Sequence, residues 1–81
     1  MTQAQRSEYA QAVWDAFLEH SGSTRLMASP LEFDLIRRWM DEVPLRVVLR
    51  GIWDCTGRGK TLAYYSDPVR EAAQHWHEAT A

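Results

Sequence analysis

Apolar residues recur at steps of three and four positions in four stretches of the chain, a spacing typical of amphipathic α-helices. The first stretch covers residues 4–20, and the segment HSGSTRLMAS that follows it has no such period. The serines, the threonine and Gly22 of that segment are typical of a loop. We therefore predict a first helix over residues 4–20. Its apolar face consists of Tyr9, Val13, Trp14, Phe17 and Leu18.

The second stretch begins with a helix start. The Ser29 hydroxyl can accept hydrogen bonds from the free N–H groups of the first turn, Pro30 has no N–H to lose there, and Glu32 completes a capping box. Pro44 disfavours helical geometry at the residue before it, so this helix should end near Glu42. Its apolar face consists of Leu35, Ile36, Trp39, Met40 and Val43.

A third helix should start at Pro44 itself, so that the second and third helices form a tight helix-turn-helix corner. Gly57 and Gly59 permit left-handed backbone geometry, and we expect them to end this helix. Arg46 and Arg50 are four positions apart on the side away from the apolar face. That face consists of Leu45, Val48, Leu49, Ile52 and Cys55.

The segment TLAYYS (61–66) is the most β-like part of the chain, but a strand without a partner is not stable. We interpret it as an extended connector in which Leu62 and one tyrosine pack inward. Ser66 or Asp67 should then cap a last helix that has Pro68 near its start. The apolar face of that helix consists of Val69, Ala72, Ala73 and Trp76.

These patterns predict an all-α fold, a compact four-helix domain that spans residues 1–81 as one unit. The chain has 81 residues, too few for two domains, and 46% of them are apolar, which suits one small core. Cys55 is the lone cysteine, which excludes an internal disulfide and favours a reducing cytoplasm. The sequence has no apolar run typical of a signal peptide or a membrane span.

Positive charge is concentrated in the middle of a chain whose formal net charge is −2. Residues 35–60 carry six Lys/Arg side chains against three Asp/Glu, whereas residues 1–34 carry two against five. The six cations surround the predicted corner, where several of them could share a surface that contacts phosphates. Trp53 and either Tyr64 or Tyr65 could stack on unpaired bases. The candidate nucleic-acid-binding residues are Arg37, Arg38, Arg46, Arg50, Trp53, Arg58, Lys60 and Tyr65. The alternative is a solvated face, partly paired with Asp34, Asp41, Glu42 and Asp54.

Other kinds of site have weaker support in the sequence. The segment GRGKT (57–61) contains part of a phosphate-loop pattern, but Asp54 stands where that pattern needs glycine, and a helix precedes it instead of a strand. His75 and His77 lie on roughly opposite faces of a helix, which does not suit one metal ion even with His20 as a third ligand. Since no residue set is typical of acid–base or nucleophilic catalysis, we expect a protein that is not an enzyme and binds no cofactor.

We therefore predict a non-enzymatic helical adaptor that binds single-stranded nucleic acid through the basic corner. The alternative is a protein-interaction or homodimerisation module with no role in nucleic-acid binding. Four tryptophans and three tyrosines exceed what short helices readily bury, and such side chains are typical anchors of interfaces. Pairing of two copies would bury this surplus.

A family resemblance agrees with the first of these predictions. The run LMASPLE (26–32), followed by Leu35 and Trp39, is similar to the opening of the C-terminal domain of DnaD-type primosomal proteins. The segment PLRVVLRGIWDC (44–55) resembles the next helix of that domain.

The end of the chain extends this resemblance. Tyr65, ahead of a helix that carries Val69 and Trp76, is similar to the closing signature of the family, although Ala73 stands where the family has its tryptophan. The similarity covers residues 7–77. It implies a helical domain that acts in bacterial replication restart and helicase loading, and that binds single-stranded DNA and partner proteins. The resemblance therefore adds a replication or repair protein as an alternative partner for the basic corner.

Overall fold

The computed structural model describes residues 2–80, and within them the chain is helical and contains no strand. Four α-helices and one 3₁₀ helix follow one another, which confirms the predicted all-α, four-helix fold. They are α1 (Gln3–Ser21), α2 (Pro30–Glu42), α3 (Leu45–Asp54), the 3₁₀ helix (Leu62–Tyr65) and α4 (Ser66–Thr80). None of these described helices combines the length and the apolar character needed to cross a membrane.

Capping boxes fix the first turns of α1 and α2. The Thr2 hydroxyl accepts a hydrogen bond from the Gln5 N–H at 3.1 Å, and the Ser29 hydroxyl accepts one from the Glu32 N–H at 3.3 Å. In each box the longer side chain returns to the N–H of the capping residue. The predicted capping box of α2 and its end at Glu42 are therefore confirmed.

The corner between α2 and α3 is closed by a side chain from α1. Val43 and Pro44 are both extended, and Pro44 caps α3 instead of being its first helical residue. The Tyr9 hydroxyl donates to the Val43 carbonyl with 2.7 Å between the oxygens. Burial raises the pKa of Tyr9, so the hydroxyl keeps its proton and this bond persists at neutral pH. The corner is thus fixed by α1 as well as by its proline.

The packing of α4 against α3 sets which face of α3 is buried. At Gly51 the two helices approach so closely that an added Cβ would lie 2.7 Å from the Cα of Val69. The buried face of α3 therefore includes Val47 and Gly51 beside the predicted Val48 and Ile52. Three members of the predicted face are only half-buried: Leu45, Leu49 and Cys55.

The prediction that left-handed glycines end α3 is wrong. Among the described residues the glycine with positive φ is Gly22, which follows α1 with a φ of 71°. The helix α3 instead ends at Asp54, and Cys55 is extended while its N–H donates to the Ile52 carbonyl at 3.3 Å. Gly57 therefore lies after the end of α3 and does not terminate that helix.

The prediction of an extended connector over residues 61–66 is also wrong. This segment forms the 3₁₀ helix because it winds directly into the first turn of α4, and the Tyr64 N–H donates to the Thr61 carbonyl at 3.2 Å. The inward packing of Leu62 and one tyrosine is confirmed, since Leu62 and Tyr65 both have 0% of their surface exposed.

The core buries more of the aromatic side chains than the composition suggests. Trp14 and Trp39 are buried, with 8% and 7% of their surface exposed, and Trp76 is half-buried. Trp53 is therefore the most exposed tryptophan of the described residues. The expected aromatic surplus is reduced to Trp53 and Tyr64.

Candidate functional site

Two loops meet at one end of the domain. The arginine loop (residues 22–29) joins α1 to α2, and the glycine loop (residues 55–61) joins α3 to the 3₁₀ helix. One guanidinium nitrogen of Arg25 donates to the Lys60 carbonyl at 3.4 Å and so ties the two loops together. Among the described residues, the exposed large apolar side chains all lie on these loops or within a few residues of them.

The arginine loop is held by an ion pair between Arg25 and the buried Glu32. The Glu32 carboxylate is in the first turn of α2 and accepts hydrogen bonds from the Arg25 guanidinium through both oxygens. The N–H groups of Ser29 and Leu62 donate to the same carboxylate at 2.8 and 2.9 Å. Burial by itself raises the pKa of Glu32, but the bonds from Arg25 and the two N–H groups outweigh it and lower the pKa to about 2.

This ion pair fixes a loop that presents aliphatic side chains to solvent. Leu26, Met27 and Leu31 are 93%, 74% and 81% exposed, and together we call them the aliphatic surface. Arg25 also donates to the Met27 carbonyl at 3.5 Å, and its guanidinium lies 5.3 Å from the centre of the Trp14 ring. The backbone beneath the aliphatic surface is therefore anchored to both α1 and α2.

The glycine loop lies directly against the ring of Tyr64. A Cβ added at Gly59 would overlap the base of this ring, and one added at Gly57 would overlap its hydroxyl, so glycine gives space for Tyr64 at both positions and does not adopt an unusual φ. The Gly59 N–H donates to the hydroxyl oxygen of Tyr65 at 3.3 Å. Contacts with both tyrosines of the 3₁₀ helix thus fix the path of the loop.

Two half-exposed rings flank the ends of the glycine loop in the sequence. Trp53, at the end of α3, is 48% exposed, and Tyr64, in the 3₁₀ helix, is 50% exposed. Successive rings of the series Trp53, His20, Tyr65 and Tyr64 meet edge to face, with centres 5.7, 5.3 and 5.5 Å apart in that order. Both half-exposed rings are therefore held from the interior and keep about half of their surface free.

Arg58 and Lys60 add positive charge beside these rings. Both side chains are exposed, and Arg58 lies between the two glycines that contact Tyr64. Trp53, Arg58, Lys60 and Tyr64 lie on the glycine loop or within three positions of its ends, and we call these four residues the aromatic–basic surface. Cations that bind phosphates and rings that stack on bases are the two elements by which proteins hold single-stranded nucleic acids.

One predicted site residue does not fit its predicted role. Tyr65 has 0% of its surface exposed, and its ring contacts Phe17, His20 and Tyr64 edge to face. Burial also raises the pKa of Tyr65, so its hydroxyl keeps its proton. A base cannot stack on a fully buried ring, and Tyr64 is the neighbouring tyrosine that is open to solvent.

The corner arginines, Arg37, Arg38, Arg46 and Arg50, are all exposed, but they lie among carboxylates. On α2, helical spacing puts Asp34 and Asp41 within three or four positions of both Arg37 and Arg38 on the outward face. These acids reduce the positive potential of that face.

The two arginines of α3 have similar surroundings. Arg46 and Arg50 line an open groove of about 1080 Å³ between α3 and α4, together with Asp54, Asp67 and Glu71. The Arg50 Nε lies 3.5 Å from an oxygen of Asp54. Such exposed pairs contribute little to stability, yet they leave less free positive charge for a polyanion.

Local sequence patterns missed the long-range contacts of two residues that organise this end of the domain. His20 is expected at the surface by default, but it is half-buried and bonds to Cys55 and Tyr65, which are 35 and 45 positions away. Glu32 is found from its capping box, whereas its bond to the Leu62 N–H spans 30 positions. Contacts at such separations have no local signal.

Comparisons of this chain with protein-family models, with curated proteins and with solved structures found no match. The resemblance to DnaD-type domains therefore stays a prediction. Within residues 2–80 no group of three His, Cys, Asp or Glu side chains is arranged to hold a metal ion. The geometry of the two loops is thus the basis for a functional proposal.

Proposed function

We propose that this domain is a non-enzymatic adaptor that binds single-stranded nucleic acid through the aromatic–basic surface. The observation that carries the proposal is that Trp53 and Tyr64 are half-exposed and fixed from the interior beside a loop with two exposed cations, Arg58 and Lys60. The resemblance to DnaD-type domains adds bacterial replication or repair as the proposed setting.

In the proposed site the aromatic rings bind bases and the cations bind phosphates. Base stacking on an aromatic ring contributes about 1–3 kcal/mol per base and is tolerant of sequence. Arg58 and Lys60 bind phosphates, and each contact releases a counterion, so affinity falls as salt rises. A duplex hides its bases in the stack, so the two rings favour a single strand over a duplex.

The proposed site is narrower than the basic corner predicted from the sequence. Arg37, Arg38, Arg46 and Arg50 have acidic neighbours, whereas residues 55–61 of the glycine loop carry Arg58 and Lys60 and no acidic side chain. The local potential that attracts a polyanion is therefore expected to be strongest at the glycine loop.

A fluorescence anisotropy titration tests the proposal. A labelled single-stranded oligothymidylate of 20 nucleotides is the probe, a duplex of the same length is the comparison, and both are measured at low and moderate salt. We expect binding of the single strand at low salt and weaker binding of the duplex. Trp53→Leu and Tyr64→Leu should each reduce affinity about 5- to 100-fold through lost stacking. Trp14 is buried and provides intrinsic fluorescence that reports unchanged folding in both variants.

A second candidate function is homodimerisation through the aliphatic surface. Burying a side chain such as Leu26 or Leu31 contributes about 1.5–3 kcal/mol, and a symmetric pair would bury three from each copy. Association costs about 4–15 kcal/mol, so the expected dimer is weak and depends on protein concentration. Sedimentation equilibrium from micromolar to millimolar protein tests this candidate, with Leu26→Ser/Leu31→Ser as the variant that should abolish association.

A further inference from the structure

We infer that His20 is the positioning residue of the aromatic–basic surface, because its ring bonds to the first residue of the glycine loop, reaches Gly59 through Tyr65 and meets the edge of the Trp53 ring. The part of this inference that concerns binding rests on the proposed function. The part that concerns the loop's position does not, and it can be measured in the free protein.

The ring of His20 reaches the loop from a different element. His20 is in the last turn of α1, and its Nε2 lies 3.0 Å from the carbonyl oxygen of Cys55, the first residue of the glycine loop. Its Nδ1 lies 2.7 Å from the hydroxyl oxygen of Tyr65. That hydroxyl in turn accepts the N–H of Gly59, near the other end of the loop.

The chemistry of the partners sets the direction of two of these hydrogen bonds. A carbonyl oxygen can only accept, so His20 Nε2 carries a proton and donates to Cys55, and the Gly59 N–H can only donate to Tyr65. In the tautomer with its single ring proton at Nε2, His20 Nδ1 accepts from the Tyr65 hydroxyl. The relay in that tautomer runs from the Gly59 N–H to Tyr65, and from Tyr65 to His20.

This relay determines how the proposed binding groups are presented. The His20 ring also meets the edge of Trp53, with 5.7 Å between ring centres, so the same side chain supports one of the half-exposed rings. Arg58 precedes Gly59 directly, and its backbone is fixed by the bond to Tyr65. Binding costs less conformational entropy when the protein groups that contact the ligand are already ordered. Loss of the relay should therefore weaken binding although His20 does not touch the ligand.

The experiment uses three substitutions on the full chain. His20→Leu removes both hydrogen bonds, Tyr65→Phe removes the hydroxyl and keeps the ring, and His20→Gln keeps one donor and one acceptor in place of the two ring nitrogens. Val13→Ala is the matched control, since it weakens the core of α1 at a residue with 0% exposure and leaves the relay intact.

The first readout is hydrogen exchange of the Gly59 amide, measured by NMR relative to the core amide of Val48. The ratio separates local opening of the loop from global unfolding. His20→Leu and Tyr65→Phe should each speed the relative exchange of Gly59 about 3- to 10-fold, the usual effect of one lost hydrogen bond. His20→Gln should recover part of the protection, and Val13→Ala should leave the ratio unchanged.

The second readout is affinity for the labelled single-stranded oligothymidylate at low salt. We expect a loss of about 3- to 10-fold in His20→Leu, partial recovery in His20→Gln and no change in Val13→Ala. Full affinity in His20→Leu, with the wild type binding, overturns the inference and leaves the proposed function intact. Absence of binding by the wild type overturns the proposed function, and the Gly59 exchange ratio still decides whether His20 positions the loop.

Discussion

The arginine loop and the glycine loop lie at the same end of the domain and share one contact of Arg25, yet each is held mainly by a different kind of interaction. A buried carboxylate and a guanidinium, Glu32 and Arg25, hold the arginine loop. A relay of an imidazole and a phenol, His20 and Tyr65, holds the glycine loop. The first loop presents aliphatic side chains, and the second presents cations and aromatic rings.

This difference shows that a positively charged residue does not by itself provide a binding surface. The charge of Arg25 is neutralised within the fold, because its guanidinium bonds to Glu32, and Arg25 adds little positive charge to the outer surface. Arg58 and Lys60 are exposed on the glycine loop, which is held by His20, by Tyr65 and by the bond from Arg25 to the Lys60 carbonyl, so their own side-chain charge remains available to a ligand. The predictions below test this contrast, starting with the largest expected effect.

The largest effect should come from Glu32→Gln. This change removes the buried charge that accepts hydrogen bonds from Arg25 and two N–H groups. We expect a loss of about 3–4 kcal/mol, the lower part of the range for a buried pair, because about a third of the Arg25 side chain is exposed. Urea unfolding followed by circular dichroism measures the loss. Glu42→Gln, at an exposed position of the same helix, is the control and should change stability by less than about 0.5 kcal/mol. Equal losses in the two variants would contradict the central place of the ion pair.

The pH dependence of stability gives a second, slightly smaller effect. The folded-state pKa of Glu32 is depressed to about 2 from an ordinary value of 4.5, so its contribution is complete above about pH 4.5 and is lost as pH falls towards 2. Linkage gives about 3 kcal/mol for a shift of this size. Urea midpoints between pH 2 and pH 6 measure it, and Glu32→Gln should lack this component. A wild-type curve parallel to that of Glu32→Gln would contradict the assignment.

The glycines of the two loops should respond differently to alanine. Gly22→Ala places a side chain at a φ of 71° and should cost about 1–2 kcal/mol, with oligonucleotide affinity unchanged. Gly59→Ala overlaps the Tyr64 ring and should cost about 1–3 kcal/mol and weaken oligonucleotide binding as well. Thermal unfolding and anisotropy titration measure the two effects. Unchanged affinity in Gly59→Ala would separate the loop from the binding surface.

The contrast between loop and helix cations should be visible in the salt dependence of binding. Removing Arg58 or Lys60 by alanine takes away one phosphate contact, which should reduce the slope of log affinity against log salt by about 0.7 for a single strand. Arg37→Ala and Arg38→Ala, at exposed positions with acidic neighbours, should leave the slope nearly unchanged. A larger slope change on α2 than on the glycine loop would restore the basic corner as the site.

The smallest effect on folding should come from the aliphatic surface. Leu26→Ser and Leu31→Ser alter side chains that are 93% and 81% exposed, so each should change the free energy of unfolding by less than about 0.5 kcal/mol. Thermal unfolding at low protein concentration measures this. A loss of more than about 1 kcal/mol at low concentration would mean that these side chains are buried within the monomer, which would contradict the assignment of an exposed aliphatic surface.

The sequence predicted those features that depend on neighbouring positions. The capping box at Ser29 and the break at Pro44 follow from the chemistry of two or three adjacent residues, so both helix ends were found. The 3₁₀ helix was missed because β propensity was judged without knowing that the segment continues into α4. The purpose of Gly57 and Gly59 was missed because their requirement is space for Tyr64, which a local backbone rule does not consider.

The candidate site was predicted in part for the same reason. Arg58, Lys60 and Trp53 were identified from composition, and their exposure agrees with the predicted role without testing it. Tyr65 was preferred to Tyr64, and the choice between adjacent residues depends on which one faces the core. That orientation is set by His20 and Phe17 of α1, about 45 positions earlier in the chain.

The most direct test of the proposed surface is NMR mapping of the ¹⁵N-labelled protein during titration with unlabelled single-stranded oligothymidylate at low salt. We predict that the largest shift changes occur at the Trp53 indole N–H and at the amides of residues 57–64, while those of Arg37, Arg38 and the arginine loop change little. An absence of shift changes, or changes centred on the outward face of α2, would contradict the account.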